Sequence, residues 1–477
     1  MSAKRKLLIF IPDGTGIKNY LLSDFIKLAS ENFEIFLAHN FNLLMHDEIS
    51  IPKSKFTHVN IPEYKENIKH KLLRESLCFA RLTYNANLKS NKSILENWRR
   101  KFKKLSKRFF YKQVEKYGLY LSKEYSRIAK LTTYYHQNII HSSSIHLYLK
   151  LLQDIRPDLI FTTHQRALYN IPLFAAAGKM DITTVSVIYS WDNMPKARIP
   201  FYSDYFFVWS EYMKKEFEDY YPEISADRIK ITGTPQFEFY LDPDLLESKT
   251  DFFNRYGLDI NRPLVCYSGD DKLTSPFDAD YLRDMAQSFS KIKKEKRPQI
   301  ILRPSPIDDG KRFQWVLKKF PEIKYAPADW FHDSGQDNWT VKFPKKNDIK
   351  ALVNLACHAD AVVNLGSTMA HDFAIFNKPA FYLNYMPVPS EEYLSMANAK
   401  KWSVETIYKY QHFQSIGNLD PVYWIKNKND YNKIVDIIMH SSHPKKDDQQ
   451  LWKDKIIGEN LYKKSSQYLN EELLHLI

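Results

Sequence analysis

From Ala359 the chain reads ADAVVNLGSTMAHDFAIFNKPAFYL, a segment that allows few folds. The apolar run Ala361–Val363 predicts a buried strand. Gly366-Ser367-Thr368 turns the chain into a helix, Lys378-Pro379 ends that helix, and Ala380–Leu383 starts the next strand. A strand, a helix and a second strand at this spacing make a parallel βαβ unit, which requires helices packed on a doubly wound sheet. A Gly-Ser-Thr turn at a helix start also offers backbone N–H groups, two hydroxyls and the positive end of the helix dipole, a setting for a phosphate. Asp372, one turn further on, is spaced to meet the ribose of a nucleotide whose phosphates sit at that turn.

The same alternation recurs along the chain. Leu7–Ile11 is a strand ended by Pro12-Asp13-Gly14-Thr15-Gly16, residues 18–30 form a helix, and Glu34–Ala38 returns to strand. A mostly helical, basic and aromatic stretch at about 65–150 follows. Strands are then expected at Asp158–Thr162, Thr183–Ile188, Tyr205–Trp209 and Arg228–Thr232, with helices at Ala167–Gly178 and Glu211–Tyr220 between them. Residues 241–262 are polar and read as a linker. A second series has strands at Leu264–Tyr267 and Gln299–Leu302, helices near 278–294 and 346–357, then the opening motif and a helical tail from about 430. With 477 residues the chain is too long for one core and suits two. The expected architecture is α/β, two Rossmann-like domains facing across a cleft, with a basic helical insertion in the first. The expected domains are 1–242, an acceptor-side domain with the insertion at 65–150, and 258–450, a nucleotide-donor domain, followed by a C-terminal helix at 451–477.

Charge is concentrated rather than spread. The formal net charge is +13, and residues 99–116 hold nine Lys/Arg against one acid, Glu115, which supplies +8 of it. Trp98, Phe102, Leu105 and Phe109 recur there at helical spacing, among Arg99, Arg100, Lys103, Lys104, Lys107 and Arg108. This is a basic amphipathic helix with an aromatic stripe, suited to packing on its own domain or to docking on an anionic membrane or a lipid-linked acceptor. No nucleic-acid motif accompanies it, and no nucleic-acid partner is expected. Three widely spaced cysteines, Cys78, Cys266 and Cys357, give no disulfide framework or zinc spacing, as expected in a reducing cytoplasm. The apolar run before Pro12 is too short for a secretory signal, and no run approaches the ~20 residues of a membrane span. The expected location is cytoplasmic, or peripheral on the inner face of the membrane.

In doubly wound sheets ligands bind beyond the carboxyl ends of the strands. Asp13, flanked by Gly14 and close to Gly16, is therefore the first candidate for a general base. His164 in THQR and Asp192 in SWDN are the others. On the donor side the candidates are Ser268 and Gly269 in SGDD, Arg303 and Ser305 in RPSP, and Gly366, Ser367, Thr368 and Asp372. No metal ligands are expected, and no cofactor besides a nucleotide-activated donor.

The order of these loops resembles the GT-B glycosyltransferases. ITGTPQFEFY, from Ile231, is similar to the strand-turn that closes their N-terminal domain, and NLGSTMAHDFAIFNKPAFYL to their donor-binding unit. The latter also resembles the CDP-glycerol glycerophosphotransferases of wall teichoic acid, with a Ser-rich turn, Asp-Phe-Ala, then Lys/Arg-Pro. Related bacterial sialyltransferases and capsule enzymes pair an acidic-Gly motif, here Asp13-Gly14, with His-Pro and Ser-Ser/Thr. Ser305-Pro306 stands at the His-Pro place, so the imidazole that contacts donor phosphate in those families is missing; Arg303 is the substitute charge. The resemblance implies transfer of a sugar from a nucleotide donor to a polysaccharide or lipid-linked glycan during cell-surface glycan synthesis, without an essential metal. A CDP-polyol phosphotransferase, a sugar-nucleotide epimerase and an inactive membrane-associated scaffold are the alternatives.

Overall fold

The computed structural model describes residues 4–98, 103–332, 342–390, 402–440 and 443–477. The chain divides into two compact units, Met1–Glu238 with Trp339–Phe343 and Lys455–Ile477, and Phe239–Asn338 with Pro344–Asp454.

The first unit is built on a parallel sheet of seven strands among the described residues: β1 (Arg5–Phe10), β2 (Phe33–Ala38), β3 (Phe56–Val59), β4 (Leu159–Thr162), β5 (Thr183–Val187), β6 (Tyr205–Val208) and β7 (Ile229–Ile231). Their order is β3-β2-β1-β4-β5-β6-β7, so the chain reverses its direction of winding between β1 and β4. Phe10 pairs with both Ala38 and Thr162, which brings the loops after β1, β2 and β4 to one sheet edge. Leu7–Phe10 and Leu159–Phe161 are fully buried, because helices cover both faces of a parallel sheet.

Helices α1 (Ile17–Leu21), α2 (Asp24–Asn32), α3 (Ile68–Leu88), α4 (Leu105–Leu121), α5 (Tyr125–Ile140), α6 (His146–Ile155), α7 (Asn170–Lys179) and α8 (Glu211–Tyr220) connect these strands. The single helix expected over 18–30 is two, because the Ser23 hydroxyl accepts from Phe25 N–H and starts α2 afresh. The helical insertion is part of the core: Leu77, Ile128, Tyr135, Ile139 and Leu152 pack with Leu8, Phe10 and Ile160 of the sheet. Its basic portion departs from expectation. A 3-10 helix ends at Trp98, residues 99–102 (including Arg99, Arg100 and Phe102) lie outside the described residues, and α4 begins only at Leu105. Trp98 is buried rather than displayed. It packs on Phe79 and Tyr111 and donates its indole N–H to Glu115 Oε1 at 2.9 Å, so it is not available to a membrane.

The second unit holds, among the described residues, a parallel sheet of six strands: β8 (Leu264–Ser268), β9 (Gln299–Arg303), β10 (Lys324–Tyr325), β11 (Ala361–Asn364), β12 (Ala380–Leu383) and β13 (Tyr423–Ile425), ordered β10-β9-β8-β11-β12-β13. Helices α9 (Lys249–Tyr256), α10 (Asp278–Ser290), α11 (Gln314–Lys319), α12 (Lys346–His358) and α13 (Met369–Ile375) accompany it. The polar stretch 241–262 is not simply a linker. Ser248 caps α9, which buries Phe252 and Phe253.

The tail returns to the first unit, where Ser465–His475 packs against α2. Glu238 holds it, accepting from Ser466 N–H at 2.6 Å and from the Ser466 hydroxyl. Burial raises the Glu238 carboxyl to about 7, with the Ser466 donors opposing. A raised carboxyl favours folding fully below its unfolded value of 4.5, and that contribution fades as pH rises through about 7. Glu238→Gln keeps an acceptor and adds a donor for the hydroxyl. It should raise thermal stability at pH 8, by about 2 kcal/mol, and flatten the dependence between pH 5 and 8 in a series of melting curves.

Candidate active site

The loops after β1, β4 and β5 meet at the edge of the first sheet. Asp13 is the cap of a 3-10 turn, Gly14–Gly16, and accepts from Thr15 N–H at 3.1 Å. Gly16 is required there: a Cβ would stand 2.1 Å from the Thr163 Cβ, so only glycine lets this turn close on the β4 loop. That approach puts Asp13 Oδ2 2.6 Å from His164 Nδ1. Both side chains are largely buried, with 8% and 12% of their surfaces exposed. Burial pushes the Asp13 carboxyl up, but the His164 charge and hydrogen bond, with the Thr15 donors, outweigh it and hold the carboxyl below its ordinary value. Asp13 therefore accepts from Nδ1–H of His164 and leaves the lone pair on Nε2. His164 Nε2 is buried and has no hydrogen-bond partner among the described residues. A carboxylate orienting an imidazole whose other nitrogen awaits a proton is the arrangement of a general base. This geometry lets His164 take a proton at Nε2 while Asp13, the first candidate read along the chain, holds the ring.

Side chains that sequence reasoning passed over complete the setting. The Tyr189 ring stands edge-on to His164, with centroids 4.6 Å apart. Asn170 Nδ2 donates to the His164 carbonyl at 2.9 Å, fixing the loop from behind. Gln165 Nε2 and Arg166 Nη1 both donate to Asn193 Oδ1, at 3.3 and 3.4 Å, lacing the THQR and SWDN loops together. Asp192 belongs to that scaffold. Its carboxylate accepts from Ser190 Oγ at 2.7 Å, Asn193 Nδ2 at 3.0 Å and the Lys196 ammonium, so its lone pairs and charge are committed. Only the loop pairing made by the fold reveals these contacts; no spacing in the sequence signals them.

In the second unit the expected donor residues cluster at the ends of β8, β9 and β11. Ser268 pairs with Arg303 across the sheet, and Gly269 N–H donates to the Arg303 carbonyl at 2.8 Å. Gly366 has φ +77°, and a Cβ there would lie 2.6 Å from Phe413 Cζ, so the turn requires glycine on both counts. Asn364 Oδ1 takes the Ser367 N–H at 2.9 Å and Ser367 Oγ the Met369 N–H at 3.4 Å. Two of the amides expected to face a phosphate are thus used within the turn. Thr368 stands at the N-cap position of α13 with no side-chain capping bond to that helix, which is only seven residues long. The Asp372 carboxylate bears on the buried Tyr240 hydroxyl, whose pKa rises through burial first and that charge second. Ser305 sits in a turn, its carbonyl accepting from Asp308 N–H at 2.8 Å.

Arg303 is not the loose cation the sequence suggests. Its guanidinium donates to Asp348 Oδ1 at 2.7 Å, with both side chains buried, and Asp348 also accepts from Asp329 N–H and Trp330 Nε1. A second buried cation went unread: Arg312 reaches the SGDD loop, donating to the Asp270 carbonyl and to Asp278 Oδ2. Burial, then the Asp271 and Asp278 charges, raise the Asp270 carboxyl to about 7.

No family model matches the chain, and no curated protein matches its sequence. Solved structures do match, over nearly the full length. A putative UDP-N-acetylglucosamine 2-epimerase from Listeria monocytogenes superposes with a TM-score of 0.52 at 8% identity, covering 99% of this chain and 97% of that one. A glycosyltransferase from Rickettsia africae ESF-5 gives 0.50 at 10% identity, covering 98% and 99%. The chain has a GT-B fold. A further UDP-N-acetylglucosamine 2-epimerase, at 0.51 and 11% identity over 99% and 96%, agrees. In this GT-B chain the Asp13–His164 pair lies at the winding reversal of the first sheet, and the Ser268, Arg303 and Gly366 loops at the strand ends of the second.

Proposed function

We propose that the protein is a nucleotide-sugar-dependent glycosyltransferase acting on a polysaccharide or lipid-linked glycan acceptor. The observation that carries this reading is the buried Asp13–His164 pair with its unpartnered Nε2. The acceptor hydroxyl gives its proton to His164 Nε2 as its oxygen bonds to the anomeric carbon, and Asp13 stabilises the imidazolium that forms. The donor gives up its nucleoside diphosphate as the leaving group, and nucleotide binding is assigned to the Gly366–Thr368 turn and the SGDD loop of the second unit, with no essential metal. Asp372 is assigned to the ribose.

The test is a thermal-shift screen against UDP, GDP, CMP, CDP and dTDP. One nucleotide should stabilise the wild type by about 2.7 kcal/mol at 100 times its Kd, and less in Ser367→Ala and Asp372→Ala. A response confined to CDP would favour a polyol-phosphate transferase. No response to any nucleotide would sink the reading in favour of a scaffold. Epimerisation is the second reading, favoured by the epimerases among the structural neighbours, including the two described above. It would convert a nucleotide sugar with no acceptor present.

The same reading assigns the start of α4 to an anionic membrane surface. Leu105 and Phe109 are 77% and 66% exposed, and Lys103, Lys104, Lys107 and Arg108 around them are exposed too. Apolar side chains in water beside a basic cluster suit insertion under anionic headgroups. Co-sedimentation with phosphatidylglycerol vesicles should fall as salt rises, and Leu105→Ala and Phe109→Ala should each weaken it roughly tenfold. Equal binding to neutral vesicles would refute the assignment.

A further inference from the structure

Three histidines that play no part above converge where β2 and β3 end. His39 follows β2 directly and is fully buried. His46 comes from a 3-10 turn, Leu43–Asp47, and His58 from β3. They fall seven and nineteen residues after His39, a spacing that suggests no ligand set along the chain. The parallel register, Leu37 against His58 and Ala38 against Val59, is what joins them. One ring nitrogen from each lies within 4.8 Å of the others. His39 Nε2 is 2.8 Å from His46 Nε2, and the His58 ring is 4.3 Å from that of His39.

Three imidazoles from three separate elements, with a ring nitrogen of each gathered close together, make a donor set of the kind that holds a metal ion. We propose that His39, His46 and His58 form a binding site for one divalent transition ion of the zinc class. Imidazole nitrogen is the donor that this class prefers, and three protein ligands leave a fourth, open position for water. His58 Nε2 donates to the His39 carbonyl at 3.0 Å, which orients the ring and leaves its Nδ1 for the ion. His46 and His39 offer Nε2. Without metal, the Phe41 N–H donates to His39 Nδ1 at 3.2 Å, so the His39 proton sits on Nε2 and is shared with His46. Binding moves that proton to Nδ1 and displaces the long Phe41 contact. It also spreads the two Nε2 atoms to roughly 3.3 Å, the edge of a tetrahedron with bonds of about 2.05 Å.

The test is zinc titration of full-length, tag-free, chelator-treated protein by calorimetry, with elemental analysis of the dialysed product. One equivalent of zinc should bind and raise the melting temperature. His46→Ala and His58→Ala remove half-buried rings and should keep the fold. Each should weaken binding by more than the roughly 10–100-fold that losing a mere supporting partner costs. His146→Ala, at an exposed histidine elsewhere, should change nothing. Cobalt bound in place of zinc should show the visible absorption of a tetrahedral site, lost in both variants. No stoichiometric zinc, or equal binding by wild type and both variants, would overturn the assignment and leave a hydrogen-bonded histidine cluster.

Discussion

Replacing His164 by alanine is expected to lower transfer by roughly 10²–10⁴-fold, the range that a positioned general base contributes. Nucleotide affinity, assigned to the second unit, should stay unchanged. Asp13→Asn removes the carboxylate charge but keeps the shape. It should cost roughly 10–100-fold in turnover, the worth of a hydrogen bond to a charged group. The double variant should be little worse than His164→Ala alone, because Asp13 acts through the imidazole. The pair also carries stability. The Asp13 carboxyl is held below its unfolded value, so its contribution is complete above that value, 3.8, and is lost as pH falls through the lower folded one. Between pH 5 and 8 the Asp13 carboxyl itself should therefore add no pH dependence to stability, and the change over that range is assigned to Glu238. Unchanged turnover in His164→Ala, with folding intact, would remove the catalytic assignment.

Arg303→Met is expected to destabilise the second unit by about 3 kcal/mol, the lower end of the cost of breaking a buried ion pair. Asp348 would be left buried without its cation, keeping the Asp329 and Trp330 donors. Arg303→Met with Asp348→Leu should recover part of the loss, since the uncompensated carboxylate goes too, while the Trp330 indole loses its acceptor. Urea unfolding of the three proteins checks this. Near-native stability in Arg303→Met, with nucleotide binding lost, would instead restore the side chain to the donor phosphate.

Most strands were legible in the sequence because the central strands of a parallel sheet are buried on both faces and read as continuous apolar runs. Leu7–Phe10, Leu159–Phe161 and Leu264–Ser268 all do so. β3, β10 and β13 escaped notice because they are short and have half-exposed positions at the sheet edges. α9 escaped because only Phe252 and Phe253 among its eight residues are buried. The glycine turns were legible as well, since Gly16 and Gly366 have no substitute where a backbone approaches closely or φ is positive.

What the amino-acid order determined by itself is the alternation of elements, two parallel sheets and the loops that can hold chemistry. These follow from local periodicity, caps and turns, which act over a few residues. Partnership was decided by tertiary structure alone. Only the β1–β4 pairing brings Asp13 to His164, across 151 residues. Only the β8–β9 sheet and α12 commit Arg303 to Asp348. Only the β2–β3 register gathers His39, His46 and His58. Charge and hydrogen-bonding capacity are written in the residue types, but whether they face a substrate or another side chain depends on contacts between segments far apart in the chain.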